Sequence, residues 1–189
     1  MAPSCLLYFI GINKKLRNVQ HHSLFFDVPF DQHADEIYAR PAWPGSPLFY
    51  CSINSFSDTS VAPPGCESMV FLIPVASGLT GDDAALRKRY FDMVLARMER
   101  HTGEKISDSI VYYKSFSVSD FVNEYNSYRG NAYGLANTLW QTANFRPSCR
   151  SRKLKNLFYA GQLTVPGPGV PPALISGEVA AKELIKSTQ

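Results

Sequence analysis

Long apolar runs are missing from this 189-residue chain. The longest are Cys5–Gly11 and Met69–Ala76, the second broken by Pro74, and both fall far short of the roughly 18 to 20 residues that a membrane-spanning helix needs. No basic segment precedes Cys5–Ile10 and no small-residue cleavage site follows it, so a secretory signal is not expected. The cytoplasm is the expected compartment, with contact at a membrane surface as the one membrane association left open. Closely spaced cysteines are lacking too. Cys5, Cys51, Cys66 and Cys149 form no C-x-x-C pair, which suits free thiols in a reducing compartment while leaving a single bridge open. Strong charge bias is absent. The net charge is +3, and its scatter speaks against nucleic acid as a partner. No G-x-S-x-G nucleophile motif occurs, and neither does a complete G-x-G-x-x-G.

What is present is a globular composition, 45% hydrophobic and 19% charged, in a chain long enough to bury a core. Apolar and β-branched runs bounded by Pro, Gly, Asn or Asp predict strands near Cys5–Ile12, Ser23–Val28, Leu48–Ile53, Met69–Val75 and Ser109–Lys114. The first begins almost at Met1, which suggests an element taken from a longer protein. Phe30–Ala39 has helical spacing with Phe30, Ala34, Ile37 and Tyr38 on one side, and stops before Pro41. Asp82–His101 is the clearest helix. Leu86, Tyr90, Phe91, Val94, Leu95 and Met98 form its apolar stripe, and Gly103 is its stop. Its other side carries Arg87, Lys88, Arg89, Arg97 and Arg100, a solvated face or a membrane-surface contact. A shorter helix is expected over Ser119–Tyr125. The irregular, aromatic stretch Asn126–Arg150 follows, long enough to suggest a functional loop. No repeat or linker separates independent domains.

The end of the chain is a predicted strand, Leu157–Ala160, a Pro/Gly turn, and a helix from Val170 to about Leu184. In Gly161–Ala173 the glycines Gly167 and Gly169 remove side chains where backbone could approach a ligand. Pro171 or Pro172 suits the first helical turn, and Ala173, Ser176, Gly177, Ala180 and Ala181 allow close packing. Such a helix N-terminus offers free N–H groups and a positive dipole end to an anion or an electron-rich ring edge. The plainer reading is a connection that merely starts a helix. Among single residues, His21 and His22 are adjacent, so on a strand they face opposite sides and cannot share a metal. They are channel or structural candidates. His33 and Glu36 share a helix face but lack a third ligand, and no metal is expected. Arg146 is a candidate to pair with a charge near a cofactor, or is an ordinary packing arginine.

Asn156–Gly161, followed by Pro166-Gly167-Pro168-Gly169-Val170-Pro171 and Ser176-Gly177, resembles the C-terminal signature of the phytoene desaturase family, part of the flavin-dependent amine oxidase-like group. Upstream, Leu7–Asn13, His21-His22, Asp58, Ala62–Cys66, Phe71-x-x-Pro74-Val75, Asp120-Phe121, Gly130-x-Ala132-Tyr133-Gly134 and Phe145-Arg146-Pro147 resemble the family's earlier blocks in order. Gln162, Val165, Pro168 and Pro172 depart from the usual residues.

The resemblance implies an α+β chain. Residues 1–150 would be part of a substrate-binding sheet with helices, and 151–189 the strand-turn-helix of an FAD-binding α/β domain whose N-terminal Rossmann half is absent. FAD would be the cofactor, touched by Gly161, Gln162, Pro166, Gly167, Gly169, Val170, Pro171 and Ala173. The substrate would be a phytoene-like polyene hydrocarbon, oxidised from C–C to C=C, with His21, His22, Tyr133, Trp140, Phe145 and Arg146 as substrate-channel candidates. No catalytic acid or base is assigned. A carotenoid isomerase or retinol saturase of the same fold is one alternative, and a non-catalytic remnant or interaction module is another.

Overall fold

A computed structural model describes residues 1–142 and 145–188. They form two compact units, Ser4–Asn131 and Met1–Pro3 with Ala132–Gln189.

The first unit is built on five antiparallel strands: β1 (Ser4–Ile12), β2 (His22–Phe25), β3 (Phe49–Ile53), β4 (Glu67–Val75) and β5 (Ile110–Phe116), in the spatial order β2-β3-β4-β1-β5. Strand β4 alternates buried and half-exposed residues along its whole length, the period-two signature of a sheet covered on one face. Leu6, Tyr8, Ile10 and Ile12 of β1 and Met69, Phe71, Ile73 and Val75 of β4 make the covered face. Helix α2 (Ala84–Thr102) supplies Tyr90, Phe91, Val94, Leu95 and Met98 to the same core. The other face is apolar as well. Phe9 pairs with Val70, and Leu7 and Tyr50 both pair with Leu72, and Phe9 is clearly exposed.

Local chemistry sets the helix ends. Asp83 caps α2 by accepting from the Leu86 N–H at 2.8 Å, and Gly103 closes it at φ 70° with its N–H on Glu99 O. The Asp120 carboxylate of α3 (Val118–Tyr125) accepts from the Ser117 N–H at 2.8 Å, one half of a capping box.

Several expectations are corrected. Strand β2 ends at Phe25 rather than Val28, because Asp27 is drawn into ion pairs with Arg97 and Arg100 and a hydrogen bond with His101 of α2. Arg97 is therefore buried instead of lying on a solvated face, and it also donates to Pro47 O. Arg87 likewise pairs with Asp82 and Asp120. In α1 (Phe30–Tyr38) the buried residue is His33, while Phe30 and Tyr38 of the apolar side are exposed. The His33 ring accepts from Leu48 N–H at 3.0 Å through Nδ1 and donates to Pro74 O at 2.8 Å through Nε2, and burial holds its pKa down. Both ring nitrogens are thus committed to backbone.

The second unit is largely irregular, ending in α4 (Val170–Thr188), which runs a turn beyond the expected Leu184. Leu157–Ala160 is not a strand. Among the described residues its only ladder contact is a bridge between Arg150 and Phe158, flanked by Tyr159 N–H on Cys149 O and Ser151 N–H on Leu157 O. A strand needs a neighbour along its length, and this segment meets one for a single residue pair. No helix of the described residues is long and apolar enough to cross a membrane. All four cysteines are free, and burial pushes the Cys5 and Cys51 thiols up to about 12.

Candidate functional site

The turn before α4 is fastened from within by two side chains. Ser176, fully buried in the second turn of α4, accepts from the Gly161 N–H at 2.7 Å and donates to Ala173 O at 2.6 Å. The Gly161 carbonyl then takes the Thr164 N–H and hydroxyl at 3.1 and 3.0 Å. From the other side comes Arg146, 5% exposed. Its Nη1 donates to Gln162 O at 3.2 Å and its Nη2 to Asn137 Oδ1 at 2.6 Å. The spacing of Ser176 suggested only a small packing residue; its partner fifteen residues upstream has no sequence signal.

The three glycines of the turn have positive φ, 109° at Gly161, 137° at Gly167 and 112° at Gly169, conformations that side chains strain against. Their surroundings differ. Gly167 is buried, and a Cβ there would lie 3.1 Å from Arg146 Nε. Its missing side chain makes room for the guanidinium, whereas the sequence suggested ligand approach. Gly161 has nothing within 4 Å of a notional Cβ, and Gly169 is exposed with only Pro172 near, at 3.3 Å. These two leave bare backbone open to an approaching group. Pro166, after a cis Val165–Pro166 bond, is exposed, and Pro171 occupies the first turn of α4.

The helix start is poorer in donors than expected. Pro171 and Pro172 have no N–H, and that of Ala173 is taken by Gly169 O at 2.9 Å. Of residues 170–173, Val170, 85% exposed, alone keeps an N–H without a partner among the described residues. One donor, the positive end of a 19-residue helix and two open glycines make a poor clasp for a phosphate. They fit the edge of a flat ring that has one acceptor to satisfy and needs backbone at van der Waals distance. A flavin presents such an edge.

Around this turn the aromatic candidates face outward. Trp140 is 72% and Phe145 58% exposed, in a T-shaped pair with centroids 5.2 Å apart, and Tyr133 is also exposed. Structure therefore groups Trp140, Phe145 and Arg146, while His21 and His22 belong to the other unit. Those two do not face apart. His21 precedes β2, so strand alternation does not apply to it, and its ring lies 4.1 Å from that of His22. Each ring has its own partner, Ser57 Oγ for His21 and Tyr50 OH for His22, both at 2.6 Å. Among the described residues no group of three His, Cys, Asp or Glu could hold a metal ion.

Comparison with known proteins gives a consistent result. Residues 18–185 match the family described as flavin containing amine oxidoreductase. The chain is 43% identical over 98% of its length to a carotenoid 3,4-desaturase of Haloarcula japonica, of which it covers 37%. It is 32% identical over 98% of its length to a 4,4'-diapophytoene desaturase (4,4'-diaponeurosporene-forming) of Staphylococcus haemolyticus, covering 38% of it. To a phytoene desaturase (lycopene-forming) of Pantoea ananas it is 28% identical over 96%, covering 37%. The chain thus spans less than two fifths of the length of these relatives.

Proposed function

This chain belongs to the flavin-containing amine oxidoreductase family, and from that premise we propose that it serves in a carotenoid desaturase, oxidising C–C to C=C bonds of a phytoene-like polyene. The observation that carries the reading is the turn at Gly161–Ala173, whose two open glycines and single free helix N–H suit a flavin edge, within a chain that aligns over 98% of its length with a carotenoid desaturase. FAD is the flavin we assign, with Gly161, Gln162, Pro166, Gly169, Val170, Pro171 and Ala173 along it and Gly167 buried behind them. When bound, a flavin would accept the hydride equivalent that leaves a C–H bond as the C=C bond forms, the neighbouring carbon losing a proton.

The chain's own residues do the rest. Gly161 and Gly169 let backbone come close, and Arg146 and Ser176 hold the turn in the shape that exposes them. The Val170 N–H and the α4 dipole place positive potential where a reduced ring gathers negative charge. Gly167 acts indirectly, through the space it leaves for Arg146. A hydrocarbon substrate has nothing to hydrogen-bond, so its recognition falls to apolar surface and orientation. The open sheet face around Phe9, Val70 and Leu72, and the exposed Tyr133, Trp140 and Phe145, have that character. We keep residues 1–150 on the substrate side and 151–189 on the flavin side.

The test is a chimera in which this chain replaces the matching 185 residues of the Haloarcula relative. Expressed in cells that accumulate that enzyme's polyene substrate, it should extend the conjugation and shift the extracted pigment to longer wavelength. A folded, flavin-loaded chimera that leaves the polyene unchanged would overturn the reading.

A further inference from the structure

Between Ala132 and Gly169 there is no Asp or Glu, yet there are five cations, Arg146, Arg150, Arg152, Lys153 and Lys155. The positive charge that looks scattered over the whole chain is therefore concentrated here, beside the exposed Phe145. Acidic residues do occur later in the same unit, but Glu178 and Glu183 are paired with Lys182 and Lys186 of their own helix. Among the described residues none of the five cations makes a salt bridge.

Four of them, Arg146, Arg150, Arg152 and Lys153, line one cleft of about 820 Å³. Arg146 is the telling member. It is buried, and its two hydrogen-bond acceptors, Gln162 O and Asn137 Oδ1, are both neutral. Neutral acceptors orient a guanidinium but leave its charge uncompensated, a state that is costly away from water. Two hydroxyls also line the cleft. Ser148 Oγ accepts from Arg150 N–H, and Ser151 Oγ from the N–H groups of Lys153 and Leu154. Each oxygen is used as an acceptor, so its O–H stays available to donate. A carboxylate would offset one charge of four. A phosphate or diphosphate group offers several charges and many acceptor oxygens in a geometry that guanidinium forks match.

The geometry points to this cleft as a binding site for a phosphate group, with Arg146 as its buried anchor. Neither the cleft nor its charge depends on the desaturase reading; its lining reaches Ala160, Leu163 and Thr164 of the same turn, but none of its charged residues is among those assigned to the flavin. The phosphate could come from a soluble nucleotide or diphosphate, or from the headgroup of an anionic lipid.

The exposed Leu139, Trp140, Val170 and Leu174 favour self-association, so the full chain is best assayed as a fusion with a soluble carrier protein. Inorganic pyrophosphate and ADP are titrated by calorimetry, and vesicles of phosphatidylcholine with and without phosphatidylglycerol are tested by co-sedimentation. The triple variant Arg150→Gln/Arg152→Gln/Lys153→Gln leaves buried Arg146 and the turn alone, and near-ultraviolet circular dichroism checks that the fold is kept. The variant should weaken binding by about tenfold or more, in line with losing charge-assisted hydrogen bonds. Lys88→Gln/Arg89→Gln on α2, which lowers net charge elsewhere, should not. Saturable binding of pyrophosphate or ADP assigns a soluble phosphate, and binding only to phosphatidylglycerol vesicles assigns a headgroup. No binding in either arm, or binding that the triple variant retains or the α2 variant loses equally, overturns the site.

Discussion

Replacing Gly169 by valine separates a flavin-contacting turn from a plain connection. At φ 112° a residue with a side chain is strained by about 1–3 kcal/mol. The new Cβ would sit 3.3 Å from Pro172 Cδ, so the ring must give by a few tenths of an ångström. Relieving both by turning the backbone would break the bond from Ala173 N–H to Gly169 O, worth about 1 kcal/mol. Strain and the lost bond are alternatives, and losing the bond, at about 1 kcal/mol, is the cheaper, so the first turn of α4 opens while the five-stranded unit is left untouched. In the chimera, flavin content should fall. In the fraction that keeps flavin, the potential should drop by the lost dipole interaction. That interaction is about 0.3–1 kcal/mol when exposed, or about 6–20 mV for a two-electron couple. Hydrogen exchange at the Ala173 amide should accelerate in the same variant. Ser187→Ala, which removes only a bond to Leu184 O near the exposed end of α4, is the control. If Gly169→Val matched the parent in flavin content and potential while the Ala173 amide exchanged faster, the turn would have opened without consequence. Its assignment to the flavin would then fail.

Two further outcomes concern the five-stranded unit, read by chemical denaturation of the carrier fusion. Asp27→Asn leaves Arg97 buried without its counter-charge and should cost about 3 kcal/mol, whereas Arg97→Met removes the need for the pair and should cost clearly less; equal losses would mean the cluster acts only by packing. His33 is held below its ordinary pKa by burial, so the unfolded chain binds its proton first. Its contribution is complete above about pH 6.5, the unfolded value, and declines as pH falls from there toward the lowered folded pKa. His33→Gln should flatten the stability profile below about pH 6.5, and an unchanged slope would place the pH dependence elsewhere.

Much of the sheet was legible because it rests on local pattern. The runs at Cys5–Ile12, Leu48–Ile53, Met69–Val75 and Ser109–Lys114 carry strand signals along their own length, and the stripe from Leu86 to Met98 carries a helix signal. The Asp and Gly residues at the ends of α2 cap it through contacts within a few residues. Pro/Gly spacing likewise marked the turn before α4, and the ordered blocks pointed to the flavin amine oxidase-like group before any geometry was known.

Legibility stopped wherever a residue's role is set by a partner distant in sequence. Arg97 has the same spacing as the solvated arginines beside it, yet Asp27, seventy residues upstream, draws it into the interior. His33 shares a helix face with Glu36 in the sequence, and nothing there shows that Leu48 and Pro74 occupy both its nitrogens. Gly167 and Gly169 are equivalent in the sequence. Only the approach of Arg146 makes the first a space for a buried side chain and leaves the second as open backbone. Leu157–Ala160 has the composition of a strand, but a strand is completed by its neighbour's hydrogen bonds, and these residues find a single bridge. Periodicity and capping are properties of consecutive residues, so the sequence by itself determined most of the elements and the family. Burial, charge compensation and backbone pairing are properties of what folds against what, and those only the tertiary structure decided.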